Sequence, residues 1–357
     1  MINEARNDIQ KNMEIATNSF KIAIDTGKAF TKYCYKGPDG KIKCQKFISA
    51  MGTVPDNVLK ADSNKTFFCG ALKDNYYVDI PELCDITTTS DNEKNGSGLS
   101  TGESNHDREI AILGMCLSIA KAMKDLGIYN TSVDVAIGSP LTEYEKVTRD
   151  EEAYFKSLLP VGRAIKCRYE GTAYMFTVNR FAIFPETLSS FMLNNCTEFG
   201  NMILVDVGGN NIQYICSTNG QISYDKSKTF TSKGGVNNFV RRIRTLMIQD
   251  QIEPVGSFVE ISAWLADTKS LPSKYGNNWK ERFLKLVKEE KKEYFRDISR
   301  IFDPTGGNYR DEMLRGYKVY YTGGGSILFK DEIKTNGGTI LNNGEYANVM
   351  GFFGMLK

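Results

Sequence analysis

Two stretches decide how this chain reads: Ile22-Ala23-Ile24-Asp25-Thr26-Gly27-Lys28-Ala29-Phe30-Thr31-Lys32 and, later, Ile203-Leu204-Val205-Asp206-Val207-Gly208-Gly209-Asn210-Asn211. Each is an apolar run of strand length, an aspartate at its end and a glycine turn leading into a second strand. Glycine allows such a turn to present several backbone N–H groups at once, and a concave row of donors holds a phosphate. Two hairpins of this kind, facing each other, would clamp a triphosphate. A third element, Val319-Tyr320-Tyr321-Thr322-Gly323-Gly324-Gly325-Ser326-Ile327-Leu328, runs a strand into three glycines and an apolar stretch suited to a helix, so that backbone lies close against a nucleotide.

In this order the segments resemble the phosphate-one, phosphate-two and adenosine motifs of the actin, sugar-kinase and DnaK-type chaperone superfamily. Over residues 20–357 the chain most resembles the ParM-like plasmid-segregation actins. The connecting segments Val133-Asp134-Val135-Ala136-Ile137-Gly138-Ser139-Pro140-Leu141-Thr142-Glu143-Tyr144 and Phe181-Ala182-Ile183-Phe184-Pro185-Glu186-Thr187 add to that resemblance. It implies an α/β fold of two lobes, each on a mixed five-stranded sheet flanked by helices, with a nucleotide cleft between them. Domain I would span 20–185, with a small variable subdomain at about 49–105, and domain II 186–335, with a subdomain at about 236–302. Residues 336–357 would return to domain I, and 1–19 would be a flexible extension.

Composition agrees with two lobes, because 357 residues exceed the size at which one core usually stops growing. With 45 Lys and Arg against 43 Asp and Glu, the net charge of +2 gives no strong global attraction to nucleic acid or an acidic membrane. Direct DNA binding is therefore disfavoured. The eight cysteines, at 34, 44, 69, 84, 116, 167, 196 and 216, form no Cys-x-x-Cys pair and read as free thiols of a reducing cytosol. The lone histidine, His106, argues against a zinc site. Residues 1–18 read as a mobile tail or lightly docked helix, with a membrane or partner anchor as the other reading. They lack the apolar core of a secretory signal, and no 18-residue apolar run suggests a membrane span, so a cytoplasmic location is expected.

Along the chain, strands are expected at 21–25, 30–36 and 41–48, joined in the last pair by Gly37-Pro38-Asp39-Gly40. Short strands are expected around Phe67-Phe68 and Tyr76-Tyr77, an exposed low-complexity loop at 87–105, and a helix over 106–126 ending at Gly127. Residues 133–138 read as a buried strand, 140–158 as a helix, 165–178 as a hairpin around Glu170-Gly171, 181–184 as a strand and 186–198 as an inter-lobe helix. Strands at 202–207, 211–217 and 221–225 repeat the first meander, and helices follow at 235–248 and 278–301. Their Arg and Lys residues read as a solvated face, since few aromatics interleave them to stack bases.

A triphosphate arrives with a hard cation, normally Mg2+, which prefers oxygen ligands and keeps several waters. Asp25 and Asp206 suit that ion, held through water from opposite walls; alternatively each caps its own turn. By resemblance, Glu186 is the catalytic residue that aligns the attacking water, although an acid opening a helix is also what the helix dipole favours. Lys32 matches a family lysine that reaches phosphate, or is an exposed strand lysine. Thr26, Gly27, Lys28, Gly208, Gly209, Asn210, Gly235, Gly323, Gly324, Gly325 and Ser326 complete the nucleotide contacts that the resemblance implies, and Arg282 on the long helix is a weaker contact for the base.

Two departures stand out. Lys28 replaces a common Ser or Thr, and either adds a contact to the γ-phosphate or swings outward. Asn210-Asn211-Ile212-Gln213 replaces Thr-Thr-x-Asp, removing a polar handle from the second hairpin. The function implied is a filament-forming ATPase or GTPase that uses Mg2+, stacks head to tail with itself and segregates plasmid DNA through a DNA-binding adaptor of ParR type, without itself touching nucleic acid or membrane. The other readings are a superfamily metabolic kinase, for which no sugar-kinase signature lies between the hairpins, and a non-filament scaffold like FtsA or PilM.

Overall fold

A computed structural model of the chain describes residues 19–27, 30–49, 51–54, 66–78, 105–139, 156–157, 159–230, 235–301 and 316–356. Strands β1 (Phe20–Thr26), β2 (Phe30–Lys36) and β3 (Ile42–Ile48) form the expected antiparallel meander. The next strands are β4 (Met51–Thr53), β5 (Thr66–Cys69), β6 (Asp74–Val78), β7 (Asn130–Ser139), β8 (Ala164–Tyr169) and β9 (Thr172–Pro185). The first lobe places β1 parallel to β7 and β7 parallel to β9.

The second lobe repeats this plan with β10 (Met202–Val207), β11 (Ile212–Thr218), β12 (Gln221–Phe230), β13 (Lys318–Thr322) and β14 (Thr339–Ile340). Its order, β12-β11-β10-β13-β14, mirrors β3-β2-β1-β7-β9 of the first. The internal repeat is thus one of topology. Strand β10 is buried along its whole length, as is most of β1 and β7, which is why these strands read as unbroken apolar runs.

The first sheet differs from the expected five strands. Among the described residues it has nine, in the order β3-β2-β1-β7-β9-β8-β5-β6-β4. The hairpin at 165–178 forms as expected, but its second arm merges with the strand at 181–184, so that the 14-residue β9 carries β7 on one edge and β8 on the other. The strands of the small subdomain continue this sheet.

Helices α1 (Asn105–Leu126), α2 (Leu188–Leu193), α3 (Val236–Gln249), α4 (Phe258–Ala266), α5 (Gly276–Ile301), α6 (Gly324–Leu328), α7 (Lys330–Thr335) and α8 (Ala347–Met355) cover the sheets. Helix α1 packs Ile112, Met115, Ile119 and Met123 into the first sheet's core, while α8 lays Val349 and Phe352 on Ala23, Cys34 and Ala136 of the other face. In the second lobe, Phe239, Trp264, Phe283 and Phe295 of α3, α4 and α5 fill one face, and Phe191 of α2 lies on Met202, Leu204 and Ile215 of the other. Helices α2 and α8 meet where Gly351 approaches so closely that a Cβ would lie 2.4 Å from the Ser189 carbonyl oxygen.

Two further expectations change. The helix predicted over 186–198 is the six-residue α2 followed by a 3-10 turn (Cys196–Phe199), because Asn195 takes the left-handed conformation between them. Cys34 and Cys44, partners in the β2–β3 register, are joined as a disulfide instead of standing as free thiols; Cys69, Cys116, Cys167, Cys196 and Cys216 are buried and outside any disulfide. Spacing alone gave no sign of the pair, since hairpin register brings it together. The extension at 1–18, most of the predicted helix at 140–158 and nearly all of the loop at 87–105 lie outside the described residues. No helix among the described residues is long and apolar enough to cross a membrane.

Candidate functional site

Asp25 and Asp206 close the two central strands, and both side chains are buried. Asp25 stands opposite Lys32 in the β1–β2 register, with its carboxylate 3.6 Å from Lys32 Nζ. Lys32 is buried too, which removes the reading of an exposed strand lysine. Its ammonium also points across the cleft, 3.9 Å from where a side chain on Gly324 would begin.

Asp206 Oδ2 accepts from Asn348 Nδ2 at 2.6 Å and from Thr187 Oγ1 at 3.4 Å. Its own turn is closed by backbone, the Gly208 N–H donating to the Asn211 carbonyl at 2.9 Å. The carboxylate therefore serves the space between the lobes, and turn capping is not its role. Burial raises its proton affinity above the usual carboxylate range, against the pull of Lys32, Asn348 and Thr187.

Glu186 follows directly on β9, its N–H donating to the Ser139 carbonyl at 2.8 Å. It lies one residue before the N-cap of α2, Thr187, and so outside the first helical turn; the helix-dipole account of this acid does not apply. Glu186 Oε2 accepts from Gln213 Nε2 at 2.6 Å. Burial first, then the charges of Asp25 and Asp206, push its carboxyl up to about 8, while Gln213 and Lys32 oppose the rise. Three acids and one lysine thus share one partly buried site.

The glycines divide by role. Gly323 has φ +81°, and a Cβ there would lie 2.2 Å from Asp206 Oδ1; one on Gly325 would lie 2.3 Å from Val207 Cγ1. Gly324 alone of the three has room beside it. Gly235, at φ +92°, would place a Cβ 2.4 Å from the Gly209 carbonyl oxygen, so α3 starts directly on the second hairpin. There the N–H groups of Val236 and Asn237 donate to the Gly208 and Gly209 carbonyls, and Asn237 Nδ2 donates to Asn210 Oδ1 at 2.6 Å.

Other expected residues are placed less directly. Thr26 pairs with Thr31 at the end of the first hairpin, and the Gly27 carbonyl accepts from Ser49 Oγ at 2.5 Å. Ser326 is buried and donates to the Gly323 carbonyl at 2.7 Å, closing its own turn. Lys28 lies outside the described residues. Arg282 binds the Asp250 and Gln251 carbonyls at the far end of α3, roughly 20 Å along that helix from Gly235 at 1.5 Å per residue, and is not brought to the site.

Sequence reading missed Thr187, Gln213, Asn348 and Gly138 as parts of the site. Gln213, expected to cost the second hairpin a polar handle, supplies one: its amide joins Glu186 and Thr187. Gly138 makes room for Glu186, since a Cβ there would lie 3.0 Å from Glu186 Cγ and 2.4 Å from the Phe352 ring. Thr187 and Gly138 stand in the connecting segments already noted; nothing near Asn348 marks it. A second link between the lobes is a small apolar clasp, in which Phe30, Ile48 and Tyr77 of the first lobe cluster with Phe258, Val259 and Ala263 of α4.

No three His, Cys, Asp or Glu side chains among the described residues are arranged to ligate a metal ion directly. Two opposed carboxylates nevertheless suit an ion that retains its water, as Mg2+ does.

Residues 23–188 match the family of actin-like proteins, N-terminal domain. None of the curated proteins matches the chain in sequence. Among solved structures, Bacillus thuringiensis ParM with ATP superposes at a TM-score of 0.62 and 15% identity, over 95% of this chain and 98% of that one. A 15-stranded ParM filament from Clostridium botulinum gives 0.62 at 16% identity, over 95% and 99%. An AlfA filament bound to AMPPNP gives 0.52 at 17%, over 94% and 95%. The first-lobe match and the full-length superpositions meet on one assignment: residues 23–188 are similar to the N-terminal domain of actin-like proteins, and the chain has the fold of the ParM proteins.

Proposed function

We propose that this protein binds ATP or GTP with Mg2+ between its lobes, hydrolyses it, and assembles head to tail into filaments that move plasmid DNA in the cytoplasm through a DNA-binding adaptor of ParR type. The gathering of Asp25, Asp206, Glu186 and Lys32 between two glycine hairpins carries this reading. Three acids against one lysine call for a further cation, because unpaired charge away from water is costly. Asp25 and Asp206 would hold Mg2+ through its waters, and the ion would supply neutralising charge to the phosphates. Lys32, beside the open flank of Gly324, faces the same oxygens.

Glu186, ionised once further positive charge enters the site, orients the attacking water and takes its proton. The water oxygen attacks the terminal phosphorus, the bond to the bridging oxygen breaks, and nucleoside diphosphate and inorganic phosphate leave. Relatives of the same fold carry ATP and AMPPNP, and two were solved as filaments, which supports nucleotide binding and self-assembly. Head-to-tail contacts do not close on themselves, so a filament is their natural product. A net charge of +2 suits a protein that moves DNA through an adaptor.

Purified protein with Mg2+ and each nucleotide, followed by high-speed pelleting, phosphate release and electron microscopy, tests this. Filaments are expected from wild type, and Glu186→Ala is expected to keep them while slowing phosphate release. A wild-type chain that stays monomeric with every nucleotide, over a wide concentration range, ends the filament reading.

A further inference from the structure

We propose that Gln213 is a positioning residue for Glu186, its amide fixing the direction in which that carboxylate faces the cleft. The inference rests on the hydrolytic role proposed for Glu186 and goes beyond it.

Gln213 stands on β11, opposite Asp206 in register, and is almost wholly buried. Its two ends are both engaged. Oε1 accepts from Thr187 Oγ1 at 3.3 Å, and Nε2 donates to Glu186 Oε2 at 2.6 Å. In the ionised form that its role as base requires, Glu186 only accepts, so turning the amide over would set oxygen against oxygen. The ionised Glu186 therefore turns the Gln213 amide nitrogen toward itself, Oε1 is left to accept from the Thr187 hydroxyl, and the amide so held fixes the direction of Glu186. Glu186 hangs from the end of β9 in the first lobe, whereas Gln213 belongs to the second; the carboxylate is aimed from across the cleft.

Glutamate at 213 would keep the length and the acceptor end while losing the donor, and would add a fourth acid beside Asp25, Asp206 and Glu186. Leucine would remove both polar ends at similar size. The full chain carrying Q213L, Q213E, E186Q or Q213L with E186Q is assayed for phosphate release with Mg-ATP and Mg-GTP, and for nucleotide affinity by calorimetry.

We expect Q213L and Q213E to lower kcat about tenfold or more with KM within about twofold, since a hydrogen bond to a charged group is lost without a nucleotide contact. In the E186Q background, Q213L should cost less than about twofold more, because the two residues act as one unit. Should Q213L fail to fold, the shape-conserving Q213E carries the same comparison. An unchanged kcat in both variants, a KM that rises as kcat falls, or a full additional loss on top of E186Q overturns the positioning role alone. A wild type without hydrolysis, or an E186Q variant as fast as wild type, overturns the reading beneath it and this one with it.

Discussion

Asn348 Nδ2 donates to Asp206 Oδ2 across 2.6 Å, tying helix α8 to the aspartate of the second hairpin. The other end of the same amide, Oδ1, accepts the Thr187 N–H at 2.9 Å and the Ser190 hydroxyl at 2.5 Å. One side chain near the C-terminus thus secures the acid of one lobe and the chain crossing between both.

Asn348→Leu removes that donor and leaves Asp206 buried with only its long contact to Thr187. We expect Mg-nucleotide affinity to fall about tenfold and the melting temperature by a few degrees, in line with the loss of a hydrogen bond to a charged acceptor. Calorimetric titration with and without Mg2+ checks this, and an affinity equal to wild type would rule out the coupling.

Glu186 makes apo stability depend on pH. Its carboxyl is held up to about 8 in the folded chain, so between the ordinary glutamate range and pH 8 the folded state binds the extra proton. Stability then falls as pH rises through that window and levels off above it. Glu186→Gln lacks the titrating group, so its melting temperature should exceed that of wild type by a margin that grows from pH 5 to pH 8. Melts across that range decide the sign; a margin that shrinks with pH contradicts the assignment.

The glycine triplet offers a paired test. Gly323→Ala places a methyl 2.2 Å from Asp206 Oδ1 at a positive φ, and should cost about 2 kcal/mol or more of stability. Gly324→Ala meets only Lys32 Nζ at 3.9 Å and should melt close to wild type while weakening nucleotide binding. If both variants behave alike in melting and in titration, the division of roles within the triplet is wrong.

Val259 is 1% exposed and shares one apolar cluster with Ile48 of the first lobe. Val259→Asp sets an unpaired acid in that apolar clasp, which should accelerate release of a fluorescent nucleotide about tenfold, the equivalent of about 1.4 kcal/mol, by favouring the open form. Stopped-flow displacement measures it directly, and an unchanged release rate would show that the clasp does not guard the nucleotide.

Much of the fold was legible because its central strands are locally self-evident: apolar runs ending in aspartate and glycine at 25–27 and 206–208, each followed by an antiparallel partner. The order of the remaining strands was not, since periodicity identifies a strand without naming its neighbour. Strand β9 shows the limit, because two short alternating segments read separately become one strand once β7 lies along them. The break after α2 did leave a sign in Asn194-Asn195, a pair suited to leaving the helix. The site divided in the same way. Asp25, Lys32, Asp206 and Glu186 carry local signatures, whereas the Thr187–Asn348 and Gln213–Glu186 contacts join residues 161 and 27 positions apart, and no local pattern encodes such meetings.

The polypeptide passes between the two sheets at Glu186-Thr187 and again just before α8, and the Thr187–Asn348 hydrogen bond holds these two passages side by side. Adjacent crossings act as a pivot, so relative movement of the halves reduces largely to swinging about one axis. Asp206, hydrogen-bonded to both Asn348 and Thr187, sits beside that axis, and groups further from it would travel further. With the proposed nucleotide bound there, the arrangement would be a lever with its fulcrum at the phosphate end, turning a small adjustment around the terminal phosphate into a larger displacement of the outer surfaces, where a stacked copy would meet it.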